Sequence, residues 1–171
     1  IYTMARFALH RSVRVPYYKR FGRGWCALPA SVTIYPTYRC NLKCIMCAQS
    51  ASRRNDPDRP PWYEPKNELS LEQWIPLLDE LAGFKPLLFL FGGEPTLYPH
   101  LPEWIVEAKK RGLWVHMTTN AVLLSKTAEL LVEQGVEGVA VSLDGPPEVH
   151  DRVRGVEGAY RRMEQGVKAL V

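Results

Sequence analysis

Short apolar, β-branched runs alternate with helical patterns of about ten residues, and this alternation constrains the fold more than any other feature of the chain. Residues 31–36, 87–91, 114–118 and 138–143 read as strands. The first ends at Pro36, which has no N–H for further pairing. The run Leu87-Leu88-Phe89-Leu90-Phe91 is continuously apolar between Pro86 and Gly92, the pattern of a strand buried on both faces. Ser70, with Gln73 three residues on, opens a helix to about Leu81, with Pro76 as a kink site and Gly83 as its stop. Helical patterns over 101–111 and 125–134 stop at Gly112 and Gly135, and a last helix starts near Ala159. Strands joined through such helices pair in parallel.

The fold class is therefore α/β, with about four parallel βα units. A chain of 171 residues falls short of the roughly 250 that a full (β/α)-type barrel takes. The expected form is an open or partial barrel, its fourth strand left without a partner on the outer edge. Because the sequence starts at Ile1 and stops inside a helical pattern, it reads as a fragment. Apolar residues at 46% and charged residues at 23% exclude a disordered chain. No apolar run reaches the ~18 residues of a membrane span, and no signal-peptide pattern precedes the core, so the expected location is the cytoplasm.

Charge divides the chain: residues 1–55 carry ten Lys or Arg and no Asp or Glu. Two parts are expected, a basic amphipathic helical arm over 1–28 and a core over 29–171. In the arm Arg6, Arg11, Arg14, Lys19, Arg20 and Arg23 alternate with Tyr2, Phe7, Tyr17, Tyr18 and Phe21. Its expected role is to pack the aromatics on the domain and solvate the arginines; a nucleic acid or membrane surface as its partner is the weaker reading. Residues 53–67 contain four prolines and read as a long loop, a solvated insertion in preference to a lid.

The chemistry concentrates after the first strand, where Cys40, Cys44 and Cys47 place three thiols in eight residues. A [4Fe–4S] cube takes four thiolates as a rule, so three leave one iron open to another ligand. Closed zinc sites use a second Cys or His pair, and neither Cys26 nor His100, His116 and His150 supplies one. Cys26 reads as a buried small apolar residue. The second strand runs into Gly92-Gly93-Glu94-Pro95, where glycines permit close backbone approach to a ligand and Glu94 offers a carboxylate to a cationic group. The third and fourth strands end in Thr118-Thr119-Asn120 and Ser142-Leu143-Asp144-Gly145. Ligand sites of parallel α/β folds lie at these carboxyl ends.

On the C-x-x-x-C-x-x-C loop and the Gly-Gly-Glu-Pro segment, residues 31–171 resemble the N-terminal part of a radical S-adenosylmethionine enzyme. The resemblance implies a partial (β/α)6 barrel whose fifth and sixth units lie beyond Val171. It also implies a [4Fe–4S] cluster on Cys40, Cys44 and Cys47, whose open iron chelates S-adenosylmethionine. Gly92, Gly93 and Glu94 would receive the methionyl amino group, Ser142 and Asp144 would make ribose and methionyl contacts, Asn120 would lie near the sulfonium, and Arg154 would meet the methionyl carboxylate. Met46 replaces the aromatic residue often found before the third cysteine. Reductive cleavage would give a 5′-deoxyadenosyl radical that takes hydrogen from a substrate, with a flavodoxin or ferredoxin as low-potential donor. The motifs are most similar to the branch of molybdenum-cofactor synthesis enzymes and peptide maturases, which implies a peptide or protein substrate. Two other classes stay open: a non-catalytic iron–sulfur or zinc scaffold, and an RNA-modifying radical enzyme that uses the basic arm.

Overall fold

The structure, a computed structural model, describes residues 5, 8–50 and 67–171. The proline-rich segment, but for Asn67, and Tyr2, Arg6 and Phe7 of the arm lie outside the described residues. Four strands, β1 (Ser31–Thr37), β2 (Leu87–Gly92), β3 (Trp114–Thr119) and β4 (Gly138–Val141), form one sheet in the order β1-β2-β3-β4. Every neighbouring pair is parallel.

The helices follow as α1 (Val15–Phe21), α2 (Leu71–Phe84), α3 (Leu101–Lys110), α4 (Leu124–Glu133), α5 (Pro147–Arg154) and α6 (Ala159–Leu170). Side chains α2 to α4 and α6 send inward, among them Trp74, Leu78, Trp104, Ile105, Leu124, Leu131 and Met163, form one core with Ile34, Leu88, Leu90, Val115 and Met117 of the sheet. Period-two alternation decides which strand residues join it. Thr33, Tyr35, Phe89, Phe91, His116 and Thr118 point to the opposite face and are exposed or half-buried.

Several sequence expectations change here. β2 is not buried on both faces: Leu88 and Leu90 are fully enclosed, but Phe91 is exposed, because the described helices cover one side of the sheet only. β1 continues through Pro36 to Thr37, since the register shifts between Ile34 and Thr37 and Pro36 sits inside that irregularity. The α2 helix starts as expected, Gln73 Oε1 accepting from Ser70 N–H at 2.9 Å, but it passes Gly83 and ends at Lys85, which takes the left-handed conformation. β4 stops at Val141, short of Leu143. The α5 helix is additional to those expected; Pro147 in its first turn and a left-handed Gly155 after its last residue are its sequence marks.

In the arm, α1 buries none of its residues. Its aromatics pack on one another, Tyr17 against Tyr18 and Phe21 at 5.5 and 5.6 Å between ring centroids, instead of on the domain. Cys26 is likewise exposed, not buried, because it lies in the irregular stretch between α1 and β1, outside the core. No described helix is long and apolar enough to cross a membrane.

Candidate active site

The carboxyl ends of all four strands, with Arg154 of α5, build a cavity of about 220 Å³. Cys40, Cys44 and Cys47 line it together with Gly92, Gly93, Asn120, Ser142 and Arg154. Of the residues singled out from sequence, Glu94 and Asp144 stand outside this lining, each bonded to residues that are in it. Met46 and Phe91 supply an apolar rim. Phe91 continues onto Tyr35, which stacks on Tyr38 with centroids 5.8 Å apart.

The cysteine loop is held by main-chain bonds from two directions. On one side Gly93 N–H donates to Thr37 O at 3.0 Å and Glu94 N–H to Arg39 O at 2.7 Å. A Cβ on Gly93 would stand 2.1 Å from Arg39 O, so the close approach that this glycine permits is to the start of the cysteine loop. On the other side Lys43 N–H donates to Arg154 O at 3.0 Å and Ile45 N–H to Val153 O at 2.9 Å. These carbonyls belong to the last turn of α5, where a helix has no acceptors' partners of its own. Gly155 completes the junction, since a Cβ there would meet Lys43 O at 2.4 Å.

Glu94 is almost fully enclosed, at 1% exposure, and its charge is met by donors of the chain. Thr96 Oγ1 and Thr119 Oγ1 each donate to Oε1 at 2.7 Å, and Asn120 N–H donates to Oε2 at 2.8 Å. The carboxylate thereby ties the ends of β2 and β3 together. Asn120 extends the tie, its side-chain amide donating to Asn41 Oδ1 at 2.8 Å inside the cysteine loop.

Asp144 and Arg154 are paired with each other: Nε to Oδ2 at 2.5 Å and Nη2 to Oδ1 at 3.1 Å. The third guanidinium nitrogen, Nη1, lies 3.8 Å from Cys44 Sγ. Burial lowers the Arg154 pKa, and the bonds to Asp144 and the neighbouring Cys44 more than offset it, leaving the group raised overall. Burial also pushes the Cys40 thiol up; a Leu42 N–H bond opposes this, and the adjacent Glu94, Cys44 and Cys47 add to it. Three soft thiol donors line one cavity beside a cation, and among the described residues no His, Asp or Glu joins them in that lining, which fits a [4Fe–4S] cluster with one iron left open.

Sequence reasoning gave no role to Asn41, read Thr119 only as part of the polar end of the third strand, and considered His150 only as a metal ligand. His150 is 1% exposed, with Nδ1 accepting from Asp144 N–H at 3.4 Å. Its only sequence signal is the helical spacing to Arg154, visible once α5 is recognised.

A family profile described as the Radical SAM superfamily matches residues 34–171. The chain belongs to the radical SAM superfamily. Fe-coproporphyrin III synthase of Methanosarcina barkeri is 38% identical over 133 residues, 77% of this chain and 31% of that protein. The sporulation killing factor maturation protein SkfB of Bacillus subtilis is 32% identical over 145 residues, 84% of this chain and 33% of that protein. Streptococcus suis SuiB, solved with S-adenosylmethionine and with its precursor peptide SuiA, superposes with a TM-score of 0.67 in each case at 22% identity. The first of these superpositions covers 89% of this chain and 33% of SuiB. The chain thus spans about a third of the length of these relatives, and the four-stranded parallel sheet agrees with a partial radical SAM barrel. A peptide-maturation relative also agrees with the branch read from the motifs.

Proposed function

We propose that the chain, over 29–171, is the cluster- and cofactor-binding part of a radical S-adenosylmethionine enzyme, with residues 1–28 as a separate basic arm. The observation that carries the reading is the meeting of three thiols with Gly92, Gly93, Asn120, Ser142 and Arg154 around one cavity. Cys40, Cys44 and Cys47 would hold a [4Fe–4S] cluster, which supplies one-electron reduction of S-adenosylmethionine to a carbon-centred radical.

The remaining roles fall to the chain. Gly92 and Gly93 offer backbone to the methionyl amino end, while Glu94 adds, from behind Thr119 and Asn120, the negative charge that an ammonium favours. Ser142 faces the cavity as a hydrogen-bonding partner for ribose or methionyl oxygens, and Asn120 lines the sulfonium end. Arg154, already paired to Asp144, keeps a positive potential where a carboxylate would lie. Met46 and Phe91 exclude water from the rim. A low-potential flavodoxin or ferredoxin would deliver the electron, in the cytoplasm.

The substrate class favoured is a peptide or protein, supported by the maturation role in the name of SkfB and by the SuiA complex of SuiB. The 38% identity to Fe-coproporphyrin III synthase favours a second reading, a tetrapyrrole. The test is anaerobic reconstitution of the natural full-length polypeptide with iron and sulfide, followed by dithionite and S-adenosylmethionine. 5′-Deoxyadenosine is the expected product, absent in Cys44→Ala. Cluster formation without that product would favour a non-catalytic scaffold. Added iron tetrapyrroles or candidate peptides that change mass in the same mixture separate the two substrate readings.

A further inference from the structure

This inference rests on the reading of Cys40, Cys44 and Cys47 as cluster ligands. Arg154 is fixed at three levels. Asp144 grips its guanidinium by two bonds, 2.5 Å from Nε and 3.1 Å from Nη2. This fork-to-carboxylate geometry sets the plane of the group as well as its distance. The main chain of the same turn accepts Lys43 N–H and Ile45 N–H, the two amides that flank Cys44. Gly155 prevents any side chain from separating the two segments. Guanidinium and sulfur are thus locked to each other through backbone and side chain alike, with Nη1 3.8 Å from Sγ.

His150 closes the other side of the carboxylate. It is buried, its Nδ1 lies 3.6 Å from Asp144 Oδ2 and accepts from Asp144 N–H, and Tyr160 packs edge-on at 5.8 Å. Burial, then the Arg154 charge, hold its pKa below the usual histidine value, against the pull of Asp144 and Asp151. A neutral imidazole leaves the Asp144 charge to Arg154 alone.

We propose that Arg154, oriented by Asp144, donates an N–H to the Cys44 thiolate and thereby raises the reduction potential of the cluster. One-electron reduction, with the electron from an external low-potential donor, adds a negative charge that the cluster shares with its thiolates. A largely enclosed cation with an N–H on one of those sulfurs stabilises the reduced form more than the oxidised form. Asp144 is a positioning residue here. It keeps the cation from turning toward solvent and, by neutralising part of its charge, limits the rise.

The experiment is a redox titration of the anaerobically reconstituted full-length protein, followed by electron paramagnetic resonance after iron and sulfide content are matched. Arg154→Gln is expected to cut the reduced-to-oxidised ratio at a fixed potential by about tenfold, a midpoint about 59 mV lower for a one-electron couple. Arg154→Lys, which keeps the charge and loses the fork, should recover part of that shift. Asp144→Asn, which keeps an oxygen to orient the guanidinium and removes the opposing charge, should raise the midpoint while the cluster stays in place. A midpoint equal to wild type in Arg154→Gln overturns the proposal. Should that variant take up no iron, an Asp144→Asn midpoint equal to or below wild type overturns it. Wild-type protein that takes up no cluster would instead overturn the proposed function, so the two failures are distinct.

Discussion

Thr119 at the end of β3 donates its hydroxyl to Glu94 at the end of β2, 2.7 Å away and out of reach of solvent. A buried carboxylate is tolerated only where donors replace its water, and here Thr96, Thr119 and Asn120 do so. Truncation to alanine leaves those donors unpaired. Glu94→Ala is therefore expected to destabilise the chain by about 3 kcal/mol or more, and Glu94→Gln, which opposes an amide donor to Asn120 N–H, by about 1–2 kcal/mol. Urea titration followed by circular dichroism measures both. Equal stability of Glu94→Ala and wild type would contradict the strand-tie role.

Gly93 carries a different constraint. The 2.1 Å that would separate its Cβ from Arg39 O lies well inside any contact distance, and the obstacle is backbone. Gly93→Ala must push the cysteine loop away from β2, at about 1–3 kcal/mol of overpacking strain. The expected result is a folded protein that incorporates much less iron on reconstitution, read as iron per chain. Full incorporation would mean that the loop does not depend on this junction.

The two faces of β2 predict opposite outcomes for neighbouring residues. Leu90 is fully enclosed in the core, whereas Phe91, 43% exposed, lines the cavity and touches Tyr35. Leu90→Ala should cost about 2–5 kcal/mol. Phe91→Ala should cost less than about 1 kcal/mol and show itself instead as weaker retention of S-adenosylmethionine by the reconstituted protein in equilibrium dialysis. A large loss of stability in Phe91→Ala would show that its face is covered after all.

What the sequence made legible follows from which signals are local. The parallel order of strands and the meeting of Cys40, Cys44 and Cys47 with Gly92, Gly93 and Asn120 were readable, because period, punctuation and spacing are written in consecutive residues. Burial of both faces of 87–91 was misread because an apolar run does not say whether a second layer exists to cover Phe89 and Phe91. The α5 helix was missed because eight residues bearing two arginines, two carboxylates and a histidine show little apolar period, although Pro147 and Gly155 bracket it. Asn41 and Asn120 are 79 positions apart, and nothing local announces such a bond. The arm misled in another way: its aromatics suggested a buried face, and they found partners in one another.

Asp151 gives a prediction in pH. Its carboxylate accepts Tyr160 N–H at 2.8 Å and Gly158 N–H at 2.6 Å, capping the first turn of α6 from the last turn of α5. The Tyr160 bond, opposed by burial and reinforced by the Gly158 bond and the charges of His150 and Arg162, holds its pKa below the ordinary aspartate value. A carboxyl depressed in the folded state stabilises that state while ionised. Its contribution is therefore complete above the unfolded-state value of about 3.9 and is lost as pH falls through the lower folded value. Thermal unfolding of wild type and Asp151→Ala at a series of pH values should show a constant gap in midpoint above about pH 5, narrowing progressively below about pH 4. Because α5 also carries the carbonyls that hold Lys43 and Ile45, the same variant should loosen the cysteine loop. Faster hydrogen exchange at those two amides in Asp151→Ala would register that coupling, and unchanged exchange there would confine the role of Asp151 to the α5–α6 junction.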